Sequence, residues 1–271
     1  MPGCITYDLT AEAAEFYEST FVPALFAAWA RHLVDTAGVR PGSRVLDVAC
    51  GTGIVARTAA DRAGPDGVVT GLDRSEAMLA VARSIRPGLR WERGDAADLP
   101  FPAGAFDLAL SQAALMFLAD RPGALREMGR VAGRVAVQVP GRLSHSAGYR
   151  VFTDVVAAHA EPATVKLIEA YFAAGEPDEL AGWFAAAGLR VERFETWTGA
   201  TRAPSIEAFV TGELLPLGVG PDQRITAACR SAMAGFAGIG GSVAVPIEAH
   251  LVVAVPVRPR QVPRSAPAAR P

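Results

Sequence analysis

The sequence lacks a surplus of positive charge. Its 26 Lys and Arg residues are outnumbered by 28 Asp and Glu residues, and Lys166 is the only lysine. The net charge of −2 offers no clustered positive charge of the kind that nucleic-acid-binding proteins carry, so we expect neither DNA nor RNA as a partner. The scarcity of lysine beside abundant Arg, Ala, Gly and Pro is typical of a GC-rich bacterial genome.

Cysteine is also scarce, and motifs for binding metals are missing. Cys4, Cys50 and Cys229 are odd in number and have no CxxC spacing, which argues against a disulfide framework or a zinc site and favours a reducing compartment. The sequence contains no HExxH motif and no cluster of metal ligands, so we expect no metal. The first residues have no basic region and no long apolar run, so we expect neither a signal peptide nor a membrane anchor, and a cytoplasmic location.

Strand-like runs alternate with helical runs along most of the chain, which is typical of parallel βαβ units. Strands are predicted at 44–49, 67–72, 89–93, 105–110, 133–139, 189–197 and 247–255. Further predicted features are a helical leader at 1–40 with Thr10 as N-cap and a break at Pro23, a domain at 41–257, a helical insertion at about 145–175, a helical stretch near 205–235, and a disordered tail at 258–271. The fold class is α/β, a three-layer sandwich with seven strands.

The first predicted strand ends in the loop VLDVACGTG, residues 45–53. Gly51 and Gly53 lack a Cβ, so a ligand can lie against the backbone near the N-terminus of the next helix. The spacing Gly51-x-Gly53-x-x-Ala56 also fits the dinucleotide fingerprint, which keeps a nicotinamide-dependent oxidoreductase as an alternative. Asp47 argues against it, because a carboxylate repels a pyrophosphate and attracts a cationic, methionine-like group. Asp47 could instead only cap the loop.

Two more acids follow the next two predicted strands. Asp73 can accept both hydroxyls of a ribose, or it could cap the helix that Ser75 is equally suited to cap. Asp95 can accept from an exocyclic adenine amine while the N–H of Ala96 donates to the ring. Met78 could press on the adenine, although a Met at helical spacing is more often a core residue. Together the three acids predict a nucleoside site with a cationic tail.

These segments resemble the class I S-adenosylmethionine-dependent methyltransferases, and in particular the subgroup of ubiquinone/menaquinone-biosynthesis and small-molecule enzymes. The resemblance is carried by VLDVACGTG, GLDRSEAML, GDAADLPFPAGAFD and SQAALMFLAD, together with FYESTFVPALFAAWA and DELAGWFAAAGL, and it covers roughly residues 10–255. It implies a Rossmann-like, mostly parallel seven-stranded sheet with an antiparallel last strand and a helical cap. One departure is Ala49, where many members of the family have glycine.

The resemblance implies S-adenosyl-L-methionine as the cofactor and assigns residues to it. Asp47, Ala49, Gly51 and Gly53 would surround the methionine portion, with Tyr17 closing over it, and Ser111 and Gln112 would lie below the sulfonium methyl. The remaining implied cofactor contacts, to ribose and adenine, are Asp73, Arg74, Met78, Asp95 and Ala96.

Methyl transfer from a sulfonium needs alignment and, for some acceptors, removal of a proton. His145, after the fifth strand, is a candidate general base, although it could also be a solvated loop residue; Gln112 is the second catalytic candidate. The predicted acceptor pocket has Phe26, Trp29, Phe117, His145 and Tyr149 as its named contacts, with Phe21 and Phe152 as further apolar walls. We therefore expect a small, largely apolar or ring-containing acceptor from secondary metabolism.

Besides the oxidoreductase, a second alternative activity remains. A protein of the same fold could bind the cofactor and catalyse a cyclisation or rearrangement without methylation, and the cofactor residues cannot separate these activities. The atom that would be methylated is also open. The sequence leaves the oligomeric state undecided, a homodimer included.

Overall fold

The computed structural model describes residues 10–220 and 222–257. A seven-stranded sheet lies at its centre, with the order β3-β2-β1-β4-β5-β7-β6. The strands are β1 (Arg44–Val48), β2 (Val68–Asp73), β3 (Arg90–Arg93), β4 (Phe106–Gln112), β5 (Ala132–Pro140), β6 (Leu189–Ala203) and β7 (Val243–Pro256). Strands β1 to β5 pair in parallel, whereas β7 is antiparallel to both of its neighbours, β5 and β6. The predicted Rossmann-like sheet with an antiparallel last strand is confirmed.

Helices cover both faces of the sheet. They are α1 (Ala11–Phe21), α2 (Ala27–Ala37), α3 (Ile54–Ala63), α4 (Glu76–Ile85), α5 (Arg121–Val131), α6 (Ala147–His159), α7 (Pro162–Ala170), α8 (Pro177–Ala186), α9 (Ile206–Leu214) and α10 (Gln223–Ala232). Because side chains of a strand alternate between faces, Val45 packs with α2, α3 and α4 while Leu46 packs with α5 and α8. A third hydrophobic cluster joins α6, α9 and α10 to the first half of β7.

The leader forms one nearly continuous helical segment. The Thr10 side chain caps α1, as predicted, by accepting a hydrogen bond from the N–H of Ala13 at 3.2 Å. The break predicted at Pro23 is wrong, because α1 continues into α2 through a π-helical turn, Val22–Phe26, in which the N–H of Ala27 donates to the carbonyl of Val22. Proline therefore changes the local hydrogen-bond register without ending the helix.

Strands β6 and β7 are longer than predicted. They pair from Leu189 with Pro256 as far as Ala203 with Val243, and the ribbon they form carries α9 and α10. The extra residues include Gly199 and Pro246, which weaken a strand signal in the sequence. The helical stretch predicted near 205–235 divides into two helices.

Residues 145–175 hold the predicted insertion helices α6 and α7. The tail predicted at 258–271, and the first nine residues of the leader, lie outside the described residues. Within the described ranges, no helix is both long enough and apolar enough to cross a membrane. The same part of the chain contains no group of three or more His, Cys, Asp or Glu side chains placed to hold a metal ion.

Candidate cofactor and acceptor site

A cavity of about 680 Å³ opens at the carboxyl ends of β1, β2 and β4, beneath α1. Its walls also include residues from α6, from the turn after α7 and from the end of α9, so the sheet and the helical cap share one space. This volume lies in the range of small-molecule sites. The predicted site residues that line it are Tyr17, Phe26, Asp47, Ala49, Gly51, Asp73, Arg74, Met78, Gln112, Phe117 and Tyr149.

The loop after β1 has an unusual backbone. Ala49 and Gly51 both have φ of 55°, in the left-handed region, and Ala113, after β4, has φ of 51°. Ala49 and Ala113 are the described non-glycine residues with positive φ, and both line the cavity. Such conformations cost about 1–2 kcal/mol per residue and cluster at functional sites.

The two glycines of this loop, Gly51 and Gly53, have different surroundings. A Cβ added to Gly51 would meet only Cε1 of Tyr17, at 4.0 Å, so the backbone of Gly51 stays accessible from the cavity. A Cβ added to Gly53 would lie 2.3 Å from the Trp91 ring. Gly53 does not line the cavity, and its missing side chain makes room for that indole. The structure therefore does not support the predicted contact between Gly53 and the cofactor.

Asp47 is 1% exposed, and its Oδ2 accepts a hydrogen bond from the N–H of Ala56 in α3 at 2.9 Å. The carboxyl group thus does cap the helix after the loop, and it also lines the cavity. Burial raises the pKa of Asp47 to about 8, with a smaller rise from the nearby Asp73, against the lowering effect of the Ala56 hydrogen bond. A cation in the cavity would favour the ionised form.

Asp73 anchors two backbone segments at once. Its Oδ2 accepts from the N–H of Gly51 and its Oδ1 from the N–H of Ser75, both at 2.8 Å. Ser75, not Asp73, caps α4 through Met78. Each carboxylate oxygen keeps a lone pair free for a ligand donor, and burial raises the pKa of Asp73. Asp47 and Asp73 therefore face one space, as the sequence predicts.

Aromatic and amide groups form the wall between α1 and β4. Tyr17 stacks on Phe26, with ring centroids 5.5 Å apart and an interplanar angle of 24°. Burial, followed by the charge of Asp73, raises the pKa of Tyr17. Gln112 Nε2 donates to the carbonyl of Phe26 at 3.2 Å, whereas its Oε1 is buried and has no partner among the described residues. That oxygen is therefore an unmet acceptor buried within the cavity wall.

Besides Gly53, three predicted cofactor contacts lie outside the cavity. Asp95 is exposed, and its Oδ1 accepts from the N–H of Ala97 at 2.9 Å, so the side chain is used in its own turn. Ala96 packs in the hydrophobic cluster of α5 and α8. Ser111 is buried next to Gln112 in β4, and alternation along the strand turns it to the other face. Only two of the three predicted acids converge.

Two predicted acceptor contacts are also placed elsewhere. The His145 side chain is 47% exposed, and its Nδ1 pairs with Oε2 of Glu248 at 3.0 Å, next to the hydrogen bond from the N–H of Arg142 to Glu248. It holds the turn after β5 and does not line the cavity. Trp29 is buried and packs edge-on against Trp197, in the hydrophobic cluster of the cap. The structure supports neither His145 as a general base nor Trp29 as an acceptor contact.

The predicted site did not include a buried acid of the cavity wall. Glu213, on α9, is 8% exposed, and its Oε1 accepts a hydrogen bond from the hydroxyl of Tyr149 at 2.6 Å. Burial raises the pKa of Glu213 to about 7, and the bond from Tyr149 opposes that rise. The available signal was a single acid in the otherwise apolar run FVTGELLPL.

Comparisons with known proteins agree with this geometry. Residues 45–133 match the family described as "Methyltransferase domain". Nocamycin O-methyltransferase of Saccharothrix syringae is 35% identical over 215 residues, which are 73% of this chain and 76% of that protein. The 2-phytyl-1,4-naphtoquinone methyltransferase of Synechococcus elongatus is 42% identical over 113 residues, 40% of this chain and only 48% of that protein.

The fold is also found among solved structures. A candidate methyltransferase from Bacillus halodurans superimposes with a TM-score of 0.60 and 18% identity, covering 85% of this chain and 100% of the other. At that identity the likeness supports the fold alone. The family relationship rests on the relative from Saccharothrix syringae, of which this chain covers more than two thirds. The chain belongs to the class I S-adenosylmethionine-dependent methyltransferase family, whose cofactor is S-adenosyl-L-methionine.

Proposed function

We propose that this protein transfers a methyl group from S-adenosyl-L-methionine to a small, largely apolar or ring-containing molecule. The observation that carries the proposal is the single cavity that joins the Asp47 and Asp73 carboxyl groups to an aromatic wall. The cofactor and the acceptor of a direct transfer must share one space, because the methyl group passes between them without a protein-bound intermediate.

The residues at the sheet end of the cavity fit the cofactor. Asp73 has two oxygens for ribose hydroxyls, and Asp47 supplies negative charge for the methionine end, where Gly51 leaves the backbone open. Tyr17 covers this end, and Met78 offers an apolar contact for the adenine. Gln112 Oε1 is buried in the cavity wall without a partner, and a turn of the side chain would bring it to a ligand donor. Arg74 lies at the exposed rim.

The bound cofactor would supply a methyl carbon already activated by its positive sulfur. The chain therefore needs no nucleophilic side chain, and its residues would orient the two molecules and exclude water. The α1 helix and the π-helical turn close one side of the cavity, through Phe16, Phe21 and Phe26. Removal of water strengthens the electrostatic interactions that hold the cofactor.

The acceptor end supports an apolar, ring-containing substrate. Phe26, Phe117, Tyr149, Tyr171 and Phe172 line it. The relatives' names point the same way, since one is a naphtoquinone methyltransferase and another a nocamycin O-methyltransferase. We place the reaction in secondary metabolism on the strength of the second, which matches most of the chain.

Calorimetric titration with S-adenosylhomocysteine and with NADH tests the cofactor, and heat from NADH alone would refute the proposal. Transfer of label from methyl-labelled S-adenosylmethionine to a panel of phenols, enols and quinones then tests the reaction. Tight S-adenosylhomocysteine binding with turnover of a substrate but no labelled product would favour the non-methylating cyclisation or rearrangement instead.

A further inference from the structure

Three hydrogen-bonded side chains lie at the largely apolar cap end of the cavity. Tyr149 and Glu213 line the cavity, and Thr201 lies behind them, in the wall of a neighbouring pocket that Glu213 also lines. Thr201 Oγ1 and the Tyr149 hydroxyl are 2.8 Å apart, and the Tyr149 hydroxyl donates to Glu213 Oε1 at 2.6 Å. All three residues are buried. Tyr149 has a single hydroxyl proton, which it donates in its hydrogen bond to Glu213. Thr201 must therefore donate to Tyr149, so both hydrogen bonds are directed toward the carboxyl group.

The second oxygen of Glu213 is unused. The described residues give Glu213 Oε1 its bond from Tyr149 and give Oε2 no hydrogen bond, although the residue lines the cavity. Leu25, Phe172 and Ile247 contribute apolar wall to the same cavity. The described side-chain atoms that are buried without a partner do not include Glu213 Oε2, so this oxygen borders open space, where a ligand donor can reach it.

We infer that Glu213 binds a hydroxyl group of the acceptor and takes its proton, so that the methyl group is delivered to an oxygen of a phenol or enol. This inference rests on the proposed function and narrows its substrate class. The acceptor's O–H bond breaks and its proton goes to Oε2 of Glu213. The oxygen forms its bond to the methyl carbon as the carbon–sulfur bond breaks and that electron pair stays on sulfur. The proton is afterwards lost from Glu213 to water.

The titratable surroundings suit this role. The pKa of Glu213, raised to about 7 by burial, lets the carboxyl group both accept and release a proton near neutral pH. Tyr149 on α6 is hydrogen-bonded to Glu213. Burial raises the pKa of Tyr149, with smaller contributions from Glu213 and then from Tyr171. The other ionisable side chains of the cavity wall are Asp47, Cys50, Asp73 and Arg74 on the sheet side, Glu12 and Tyr17 on α1, and Tyr171 after α7.

Binding tests the recognition step without turnover. The probes are 7-hydroxycoumarin, 2-naphthol and 4-nitrophenol, each paired with its methyl ether, titrated into the protein saturated with S-adenosylhomocysteine. We expect the hydroxyl forms to bind roughly tenfold more tightly than the ethers, a difference typical of one hydrogen bond to a charged group. Glu213→Gln should remove most of this preference. Equal affinities for hydroxyl and ether, or binding of neither, would overturn the inference.

Turnover tests the proton transfer. On any labelled acceptor, Glu213→Gln should lower kcat by about 10²–10⁴-fold. The same variant should leave the Kd of S-adenosylhomocysteine unchanged. In the wild type, log kcat should rise with pH to a plateau above about 7. Tyr149→Phe should move that bend to higher pH, because the hydrogen bond from Tyr149 lowers the pKa of Glu213 and its removal raises that pKa.

The matched control is Glu207→Gln, an exposed carboxylate on the same helix that pairs with Arg230. It should leave both kcat and the hydroxyl preference unchanged. Wild-type turnover in Glu213→Gln would overturn the inference and leave the proposed function intact. Failure of the wild type to bind S-adenosylhomocysteine would refute the proposed function itself.

Discussion

The backbone N–H of Gly51 donates a hydrogen bond to Oδ2 of Asp73 at 2.8 Å, which ties the loop after β1 to the end of β2. The neighbouring strands β1 and β2 end side by side, with Val48 opposite Leu72. The residue proposed to bind the ribose therefore also holds the loop proposed to receive the methionine portion. A substitution of Asp73 should therefore weaken the binding of both the ribose and the methionine portion of the cofactor.

Asp73→Ala should weaken binding of S-adenosylhomocysteine by about 2–4 kcal/mol, because two charge-assisted hydrogen bonds to the ligand are lost. Isothermal titration calorimetry measures this directly. Asp107→Ala is the control, since Asp107 pairs with Arg44 near the start of the neighbouring strands and lies away from the cavity. An unchanged Kd in Asp73→Ala would remove this residue from the site.

Asp47 should couple cofactor binding to proton release. The free protein holds Asp47 protonated below about pH 8, and a cationic ligand favours the carboxylate, so affinity should rise with pH and level off above about 8. Below pH 8, binding should release protons, which calorimetry detects as a dependence on buffer ionisation heat. The ligand's own amino group titrates in the same range, so Asp47→Asn, which keeps an acceptor for Ala56, isolates the contribution of Asp47.

The raised pKa of Asp47 should also make the stability of the free protein depend on pH. The folded state binds more protons at Asp47 than the unfolded state does between the ordinary carboxyl pKa and about 8. The free energy of unfolding should therefore fall as pH rises through that window. Asp47→Asn should flatten this part of the pH profile. An identical slope and identical proton release in both proteins would contradict the raised pKa.

Several features could be predicted from local sequence patterns. The alternation of strands and helices identifies β1 to β5, and the turn chemistry of residues 45–53 singles out Asp47 and Gly51, which line the cavity. Whether a side chain at a strand end faces the cavity depends on longer-range geometry, and for this reason the sequence could not show that Asp95 and Ser111 lie outside the cavity. The pair of Tyr149 and Glu213 joins residues 64 apart in the chain, and neither residue has a local pattern that indicates the other.

Gly53→Ala should destabilise the protein more than Gly51→Ala. Both positions have positive φ, so each alanine costs about 1–2 kcal/mol in backbone strain. At Gly53 the new methyl group also meets the buried Trp91 ring, which is held by its hydrogen bond to the carbonyl of Arg86, and overpacking adds about 1–3 kcal/mol. Urea unfolding should show the difference in midpoint.

The order of the two variants should be reversed for ligand affinity: Gly51→Ala should lose more affinity than Gly53→Ala. Gly51→Ala puts a methyl group on the backbone that borders the cavity, so it should weaken S-adenosylhomocysteine binding at a modest cost in stability. Folded Gly53→Ala should keep most of its affinity, because that position packs against Trp91. A stronger loss of affinity in Gly53→Ala than in Gly51→Ala would return Gly53 to the cofactor site.

Gln112→Leu should separate ligand binding from stability. The substitution removes a buried acceptor, Oε1, that has no partner among the described residues, together with the hydrogen bond from Nε2 to Phe26. An unmet buried acceptor costs about 1–3 kcal/mol and a hydrogen bond contributes about 1 kcal/mol, so the free energy of unfolding should stay level or rise. The Kd of S-adenosylhomocysteine should nevertheless increase about fivefold, the equivalent of one hydrogen bond, because Gln112 lies in the cavity wall and can turn Oε1 to a ligand donor.

Gln138→Leu is the matched control for this prediction. Gln138 lies opposite Gln112 in β5, is fully buried, and both atoms of its amide are without a partner in the described part of the chain, but it does not line the cavity. Its replacement should stabilise the protein and leave ligand affinity unchanged. If both variants kept wild-type affinity, the unpaired oxygen of Gln112 would be a packing defect of the free protein, and the ligand would bind without it.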